Sequence, residues 1–496
     1  MTTLTLDPED DVAVALEPLD AGRDLGGWRT AEAIPAGHKV AVKAVARGGV
    51  VRKYGQAIGV AAEDVRPGDW VHVHNLRMDE GLPRQAAAES LRRAPAARGA
   101  TFQGYRRASA RWGTRNTIAI LTSVNCSATV ARRIADAFPK DQLPEGVDEV
   151  VAYTHSGGCG GGFEGGDVRL LQRTLAGYAR HPNVAGVLMV GLGCEANQTP
   201  DWLAREGLEA GPGLRLVSIQ EAGGASRAIE QGRAAVADLI ARAAGARRET
   251  APAAALVLGL QCGGSDGWSG LTANPALGAA VDRLVAEGGS ALLSETPEIW
   301  GAEHLLMARA ASSEVADRLQ ARLDWWADYA ARNGMELNNN PSPGNLKGGL
   351  TTILEKSLGA VAKAGSAPLM DVIGYAEPVQ VQGLSFMDSP GYDPCSATGQ
   401  IASGASLIAF TTGRGSIFGS KPAPCLKIAS NGRLASWMDE DMDVDASPVL
   451  SGAPVADVGE LIFARLLALA SGEPSRSEAL GIGDHEFVPW QTGAYL

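Results

Sequence analysis

Two apolar segments decide the fold, because each ends in a glycine-rich loop that carries a cysteine. The first reads VDEVVAYTHSGGCGGGFEGG (147–166) and the second HPNVAGVLMVGLGCEANQ (181–198), with a helical pattern between them. An unbroken apolar run of this length is typical of a strand covered on both faces, as in a parallel sheet. Ligands bind such sheets beyond the carboxyl ends of the strands. Four cysteines that follow apolar runs are therefore expected along one functional edge: Cys126, Cys159, Cys194 and Cys262.

Strand-like and helix-like patterns alternate through the larger part of the chain. This alternation predicts an α/β fold with mainly parallel sheets, divided into two α/β units at residues 101–250 and 251–496. Residues 1–78 differ, because short alternating segments separated by Gly and Pro turns predict a small β-rich domain. The Ala- and Arg-rich residues 79–100 have no regular apolar face and are interpreted as a linker.

Composition narrows the possible partners. The net charge is −12 and no basic stripe stands out, so we expect no nucleic-acid partner. No apolar run reaches 18 residues, so we expect no membrane span. The N-terminal sequence lacks a signal-peptide pattern, and six cysteines in 496 residues are too few for a disulfide scaffold. We therefore expect reduced thiols and a cytoplasmic location.

The segment DWVHVHN (69–75) is predicted to be the last strand of the β-rich domain. Side chains two residues apart share one face of a strand, so His72 and His74 would point the same way. Two imidazoles on one face are suited to chelating a divalent metal. The alternative is a pair of exposed or hydrogen-bonded histidines with no metal.

A series of strings stands along the chain in the order found in one enzyme family. Besides IPAGHKVAVKAVARGGVVRKYGQAIGVA and GDWVHVHN in the N-terminal part, the strings are GTRN, NCSATV, RTLAGYARHPNVAGVLMVGLGCE, LQCGGSDGWSGLTANPALG, ETPEIWGAE, NPSPGN, GGLTT, EKSLG and FTTGRGSIFG. Over nearly its whole length the chain resembles the altronate/galactarate dehydratase family of sugar-acid hydro-lyases. The N-terminal part resembles that family's SAF-type domain. The family also contains sulfolactate lyases, so the resemblance leaves the substrate open.

The resemblance implies a divalent metal, iron(II) or another such as manganese(II). His72 and His74 are the first candidate ligands, with Glu295 as a carboxylate ligand at a strand end. Thiolates also favour iron–sulfur clusters, so a cluster on Cys159, Cys194 and Cys262 is an alternative, although no CxxC spacing supports it. In the remaining interpretation these glycine–cysteine loops allow the backbone to approach the substrate closely.

Dehydration of a sugar acid needs a base for the C2 proton and an acid for the departing C3 hydroxyl. His155 ends a predicted strand and is a candidate base or metal ligand, with a structural histidine as the alternative. Glu195 is a candidate acid, base or ligand, or else a helix cap. Lys356 lies on a predicted helix, and would need a lowered pKa to act as a base.

Substrate binding is assigned to a further group of side chains. Arg414 offers a planar fork between glycines for the substrate carboxylate, and Arg115 is second to it, with a structural ion pair as the alternative for either. The remaining candidates are Asp266, Asn345, Cys159, Cys194 and Cys262. The sequence thus predicts a metal-dependent hydro-lyase that converts a sugar acid to a 2-keto-3-deoxy acid and forms a homo-oligomer. A lyase that expels another group, such as sulfite, and a non-catalytic sugar-acid-binding protein are the alternatives.

Overall fold

The computed structural model describes residues 2–79, 81–82, 95–160 and 165–492. Its architecture is a small N-terminal β-rich region followed by a large region of two parallel sheets with helices. The predicted α/β class is therefore confirmed. Most of the predicted linker, residues 79–100, lies outside the described residues.

The N-terminal β region is built from seven short strands in two antiparallel sheets. The strands are β1 (Thr3–Leu4), β2 (Val12–Ala15), β3 (Lys39–Ala41), β4 (Val50–Lys53), β5 (Gln56–Ala61), β6 (Trp70–Val71) and β7 (Leu76–Arg77). Their orders are β1-β2-β3-β6 and β4-β5-β7. The predicted strand over 69–75 is wrong beyond Val71. There the chain turns, because the Asn75 side chain accepts a hydrogen bond from the backbone N–H of His72 at 2.9 Å.

The first α/β unit contains a four-stranded parallel sheet of order β11-β10-β12-β13. The elements of this part are β8 (Thr101–Arg106), β9 (Trp112–Gly113), β10 (Thr117–Thr122), α1 (Ala128–Ala135), β11 (Glu149–Tyr153), α2 (Gly166–Ala179), β12 (Val184–Gly191), α3 (Thr199–Arg205), β13 (Leu214–Ser218), α4 (Ala225–Ala243) and β14 (Glu249–Pro252). Strands β8, β9 and β14 form a separate antiparallel sheet.

Both faces of this parallel sheet are buried, as the apolar runs predict. On β10, Ile118 and Ile120 pack in one apolar cluster with residues of α1 and α4. The alternate residues Ala119 and Leu121 pack in another cluster that includes α2 and residues of the second α/β unit. Alternation on a strand thus places one set of side chains under helices and the other against the neighbouring unit.

The second α/β unit is organised on a seven-stranded parallel sheet of order β17-β18-β16-β15-β19-β20-β21. Its elements are β15 (Val257–Cys262), α5 (Ala273–Ala286), β16 (Ser290–Ser294), α6 (Glu303–Met307), α7 (Ser313–Arg332), α8 (Pro343–Lys347), α9 (Ile353–Ala362), β17 (Leu369–Ile373), β18 (Gly383–Met387), α10 (Asp393–Ala402), β19 (Leu407–Thr412), β20 (Cys425–Ala429), α11 (Gly432–Trp437), β21 (Val444–Asp445), α12 (Val455–Ala470) and α13 (Arg476–Ala479). No helix of the described residues has the length and apolar character needed to cross a membrane.

The four cysteines lie at two edges and not at one. Cys126, Cys159 and Cys194 follow β10, β11 and β12, which are neighbours in the four-stranded sheet, whereas Cys262 is the last residue of β15 in the seven-stranded sheet. The expectation of a single edge is wrong, because the apolar runs belong to two separate sheets.

Candidate active site

A group of ionisable side chains, all buried except the partly exposed Asp393, gathers where β15 and β16 end. We call it the carboxylate–lysine cluster, and its members are Cys262, Glu295, Glu298, Lys356, Lys363 and Asp393. They come from four segments of the second α/β unit: the end of β15, the turn after β16, α9 and the start of α10. Ionisable groups rarely gather in a protein interior unless they are paired or functional, so this cluster is the first candidate for chemistry.

The backbone brings the carboxyl groups of the cluster together from β16 and α10. Glu295 follows β16 directly and has a left-handed backbone with φ of 74°. A non-glycine residue in this conformation is strained, and such strain is concentrated at functional sites. Glu298 lies in the 3₁₀ turn that follows, and Asp393 is the first residue of α10. A side chain on Gly263 would collide with the Asp393 carboxylate, so this glycine lets the chain after β15 pass close to it.

The lysines of the cluster enter from α9. Lys356 and Lys363 are seven residues apart, about two turns, and so share one face of the helix. The Lys356 ammonium donates to Glu298 Oε1 at 2.7 Å and to Asn340 Oδ1 at 2.5 Å. Lys363 Nζ lies 2.9 Å from Cys262 Sγ, which in turn lies 3.7 Å from Glu298 Oε2.

The pKa values of the two glutamates are shifted in opposite directions. Burial, with Glu298 and Asp393 nearby, raises the pKa of Glu295 well above its usual value, and its Oε2 has no hydrogen-bond partner in the described part of the chain. Burial acts the same way on Glu298, but Lys356 and Lys363 outweigh it and lower that pKa. The shifts favour the neutral acid form of Glu295 and the carboxylate form of Glu298.

Asp393 has the pKa best matched to acid–base chemistry near neutrality. Burial first, and the Glu298 carboxylate second, raise its pKa to about 7. Its side chain is partly exposed, unlike those of the two glutamates. Neighbouring groups whose pKa values are pushed apart mark the acid and base of an active site. We therefore assign Asp393 as the candidate base and Glu295 as the candidate acid.

Lys356 lies in the cluster, and its pKa is shifted in the direction opposite to the one that a lysine base needs. Burial lowers the pKa of a lysine, yet the Glu298 carboxylate at 2.7 Å outweighs burial and raises the pKa of Lys356. The side chain is therefore an ammonium that stabilises negative charge. Among the predicted site residues, Glu295 and Cys262 also belong to the cluster.

Arg414 is placed where the sequence predicts an anion site. It follows β19, and its backbone N–H donates to the Gly264 carbonyl at 2.9 Å, beside the glycine that contacts Asp393. Its side chain is exposed and makes no hydrogen bond or ion pair with the part of the chain that the structure describes. The guanidinium therefore remains available to a ligand.

His155 and Glu195 lie apart from the cluster, at the edge of the four-stranded sheet. The His155 ring is held at both nitrogens, since Nε2–H donates to the Thr122 carbonyl at 2.8 Å and Nδ1 accepts from Gly157 N–H at 3.1 Å. Burial lowers its pKa to about 4. The Glu195 carboxylate accepts from Ser123 Oγ and from Gly193 N–H. The His155 geometry fits the structural alternative, whereas Glu195 does not cap α3, whose N-cap is Gln198 without a side-chain hydrogen bond.

Arg115, Asp266 and Asn345 also have internal partners. The Arg115 guanidinium forms a buried two-point ion pair with Glu478 and donates to three carbonyl groups. Asp266 accepts from five donors: the backbone N–H groups of Trp268 and Ser269, the hydroxyls of Ser269 and Ser430, and the Asn431 amide. The Ser430 hydroxyl lies within hydrogen-bond distance of both carboxylate oxygens. Asn345 caps α8 and donates to the Ser265 carbonyl. These contacts favour structural roles.

The predicted metal ligands are not brought together. Within the described ranges, no three His, Cys, Asp or Glu side chains are arranged to hold a metal ion. This finding applies to the predicted set of His72, His74 and Glu295. It applies equally to the three cysteines predicted as alternative ligands of an iron–sulfur cluster. His72 is nevertheless buried against Trp70 and His38, and its Nδ1 has no partner in the described part. Burial lowers the pKa of His72 to about 4, so the ring is neutral.

The largest cavity that we describe lies between the carboxyl edges of the two units. Its volume is about 710 Å³, and its walls come from the ends of β10 and β11, from α1, from the segment before α10 and from the C-terminal residues 487–491. His155 lines it, with both ring nitrogens already bonded. Cys159 and Cys194 are exposed outside it.

Sequence reasoning missed three members of the cluster and one residue that supports it. These are Glu298, Lys363 and Asp393, together with the supporting Asn340. Lys363 had a usable signal, because it repeats Lys356 at a spacing of two helical turns. Glu298 lies within one of the recognised strings, ETPEIWGAE, whereas Asp393 lies in none of them, and no pattern in the sequence would bring the two together.

The fold and the site define an α/β enzyme with a buried acid–base site at the carboxyl edge of a parallel sheet. Three family models match the chain: "Altronate/galactarate dehydratase SAF domain" over residues 1–79, "D-galactarate dehydratase/Altronate hydrolase, second domain" over 104–244, and "D-galactarate/Altronate dehydratase, C-terminal" over 253–495. The chain belongs to the altronate/galactarate dehydratase family of hydro-lyases.

The curated relatives agree with this family. The altronate dehydratase of Bacillus subtilis is 35% identical over 87% of this chain and 88% of its own length. The galactarate dehydratase (L-threo-forming) of Escherichia coli is 35% identical over 94% of this chain and 92% of its own. The beta subunit of the (2R)-sulfolactate sulfo-lyase of Chromohalobacter salexigens is 33% identical over 79% of this chain and 97% of its own.

Proposed function

We propose that the protein dehydrates a six-carbon sugar acid of the altronate or galactarate type to a 2-keto-3-deoxy acid. The observation that carries the proposal is the carboxylate–lysine cluster, where a carboxyl group titrating near pH 7 lies beside a neutral acid and two ammonium groups. Dehydration beside a carboxylate needs these three elements: a base, an acid and stabilisation of the developing charge.

In the proposed reaction Asp393 takes the C2 proton of the bound acid. The electron pair of that C–H bond moves onto the substrate carboxylate, whose added charge the Lys356 ammonium stabilises. The C3–O bond then breaks, and the hydroxyl leaves as water with the proton of Glu295. The enol that remains takes up a proton at C3 and releases the proton of its C2 hydroxyl to water, which gives the 2-keto acid. Arg414, exposed at the same edge, binds the substrate carboxylate through its planar fork.

The divalent metal expected from the family resemblance remains part of the proposal. Its support is the orphaned Nδ1 of His72 on a neutral ring, the state in which imidazole binds metals. No step above is assigned to a metal, because the described side chains do not form a complete ligand set.

We expect His72→Ala to lose the metal that the wild-type protein retains. Anaerobically purified protein would be analysed for iron and manganese by mass spectrometry, and the exposed His485→Ala serves as the control. Equal metal content in the wild type and both variants would remove His72 as a ligand. Absence of acid-labile sulfide would in addition remove the iron–sulfur alternative.

The proposed function is tested by an anaerobic screen of five- and six-carbon aldonates and aldarates with added iron(II) or manganese(II). Formation of 2-keto-3-deoxy products would be measured colorimetrically and by mass spectrometry. Sulfolactate belongs in the same screen, because sulfite release with no dehydration would favour the alternative lyase. Binding of sugar acids without turnover would favour the non-catalytic alternative. Light scattering of the same sample tests the predicted homo-oligomer.

A further inference from the structure

The 710 Å³ cavity has a lining suited to a polyhydroxy anion. Its polar lining consists of neutral hydroxyl and amide side chains with one cation, and no carboxylate occurs among the described residues that line it. The neutral polar groups are Asn125, Thr129, Thr154, Ser156, Tyr392 and Gln491. In a chain of net charge −12, a cavity free of carboxylates is a local exception. It favours a ligand rich in hydroxyl groups and negatively charged.

Arg132 is the single cation of that lining. It projects from α1, and its guanidinium donates to Thr154 Oγ1 at 2.8 Å. It makes no ion pair with any of the residues that the structure describes. Four of its five N–H donors are therefore free to bind a carboxylate, for which the planar fork of arginine is well suited.

One short segment joins this cavity to the carboxylate–lysine cluster. Pro390, Tyr392 and Cys395 line the cavity, whereas Asp393, within the same segment, belongs to the cluster. Gly391 has no side chain, and a Cβ there would meet the Asn340 amide and the Glu298 side chain. Residues 390–395 thus contribute both to the lining of the cavity and to the cluster that holds the proposed base.

We propose that the cavity holds the far end of the substrate and that Arg132 binds the terminal carboxylate of an aldarate. The substrate class is then a six-carbon dicarboxylic sugar acid, with its reacting end at Asp393 and its second carboxylate at Arg132. The hydroxyl and amide groups bind the hydroxyls between them, and the rings of Phe487 and Trp490 exclude water. This inference rests on the proposed function only in placing the reacting end of the substrate at Asp393.

The test compares binding of two acids that differ only at C6, galactarate and galactonate, by isothermal titration calorimetry. Arg132→Gln is expected to weaken galactarate binding by about 10- to 100-fold and to leave galactonate binding unchanged, because only galactarate loses a charged hydrogen-bond partner. Arg132→Lys, which keeps the charge, should restore part of the affinity. Arg133→Gln removes an exposed guanidinium from the same helix and should change neither.

The two proposals fail in different ways. If the protein binds galactarate through Arg132 but does not convert it, the proposed function is overturned and the subsite is upheld. Turnover by a wild-type protein whose Arg132→Gln variant binds galactarate equally well would overturn the subsite alone. An equal loss for both acids would also overturn it, because Arg132 would then recognise no second carboxylate. Wild-type protein that binds neither acid would overturn both.

Discussion

Replacing Asp393 by asparagine is expected to lower kcat by about 10²- to 10⁴-fold, the usual contribution of a general base. Asparagine keeps the shape of the side chain and its fit against Gly263, but it cannot accept the C2 proton. The proton transfer occurs only in the transition state, so KM should change far less than kcat. The measurement is steady-state formation of the 2-keto-3-deoxy product by the wild type and the variant.

The same residue predicts the pH dependence of the reaction. Asp393 must be ionised to take a proton, and burial raises its pKa to about 7. The rate constant kcat/KM of the wild type should therefore rise tenfold per pH unit below about pH 7 and level off above it. A flat profile between pH 5 and 8 would contradict the assignment of Asp393 as the base.

The thermal stability of Asp393→Asn distinguishes a loss of catalysis from a loss of folding. Because the pKa of Asp393 is higher in the folded protein than in the unfolded chain, the folded state loses stability as pH rises from about 4 through about 7. Asparagine has no such titration, so at pH 8 the variant should melt no lower than the wild type. Asp201→Asn, which removes an exposed charge on α3, is the matched control and should keep full activity. Normal activity of Asp393→Asn would refute the mechanism.

The strands could be predicted from sequence because a buried strand is recognisable locally. Every residue of β10 and of β15 beyond Val257 is buried, and both strands consist mostly of apolar residues. The turn at His72 could not be predicted in this way, because VHV alternates as a strand does. Its end depends on one side chain, Asn75, bonding back to the chain.

The cluster itself depends on distances that no local pattern encodes. Cys262 and Lys363 are about a hundred residues apart in the chain, and a strand crossover separates Lys363 from Asp393. The sheet order β18-β16-β15 brings the three side chains together. Glu355 and Lys356 illustrate the same limit. Neighbours on a helix point about 100° apart, so one faces the N-terminal β region and the other faces Glu298. The string EKSLG contains both residues, but nothing in it indicates which of the two side chains lies in the site.

Glu355 is the centre of a buried charge network between the N-terminal β region and α9. Its two carboxylate oxygens accept from Lys39 Nζ and Lys53 Nζ, each at 2.8 Å, and all three side chains are fully buried or nearly so. Burial opposes ionisation of Glu355, but the two lysines outweigh it and lower its pKa to about 2. Burial lowers the pKa of Lys39 to about 8, whereas for Lys53 the carboxylate outweighs burial and raises the pKa.

Glu355→Gln is therefore expected to lower the free energy of unfolding by about 3–5 kcal/mol, the usual cost of removing one partner from a buried ion pair. Because glutamine has nearly the same shape as glutamate, the loss of unfolding free energy measures the cost of leaving two buried ammonium groups without their carboxylate. Asp238→Asn breaks an exposed pair with Arg215 at 3.6 Å and should cost less than about 1 kcal/mol. Urea unfolding followed by circular dichroism measures both, and a similar small loss in each variant would contradict the prediction.

The pH dependence of that loss identifies its cause. A carboxyl group whose pKa is depressed by folding contributes stability above its unfolded pKa of about 4.3, and the contribution is lost as pH falls toward 2. The difference between the wild type and Glu355→Gln should therefore be full at pH 6 and shrink steadily below pH 4. A defect of packing would persist at every pH. Since Lys356 follows Glu355 on α9, a charge-dependent loss of both stability and kcat would tie the N-terminal β region to the geometry of the reaction.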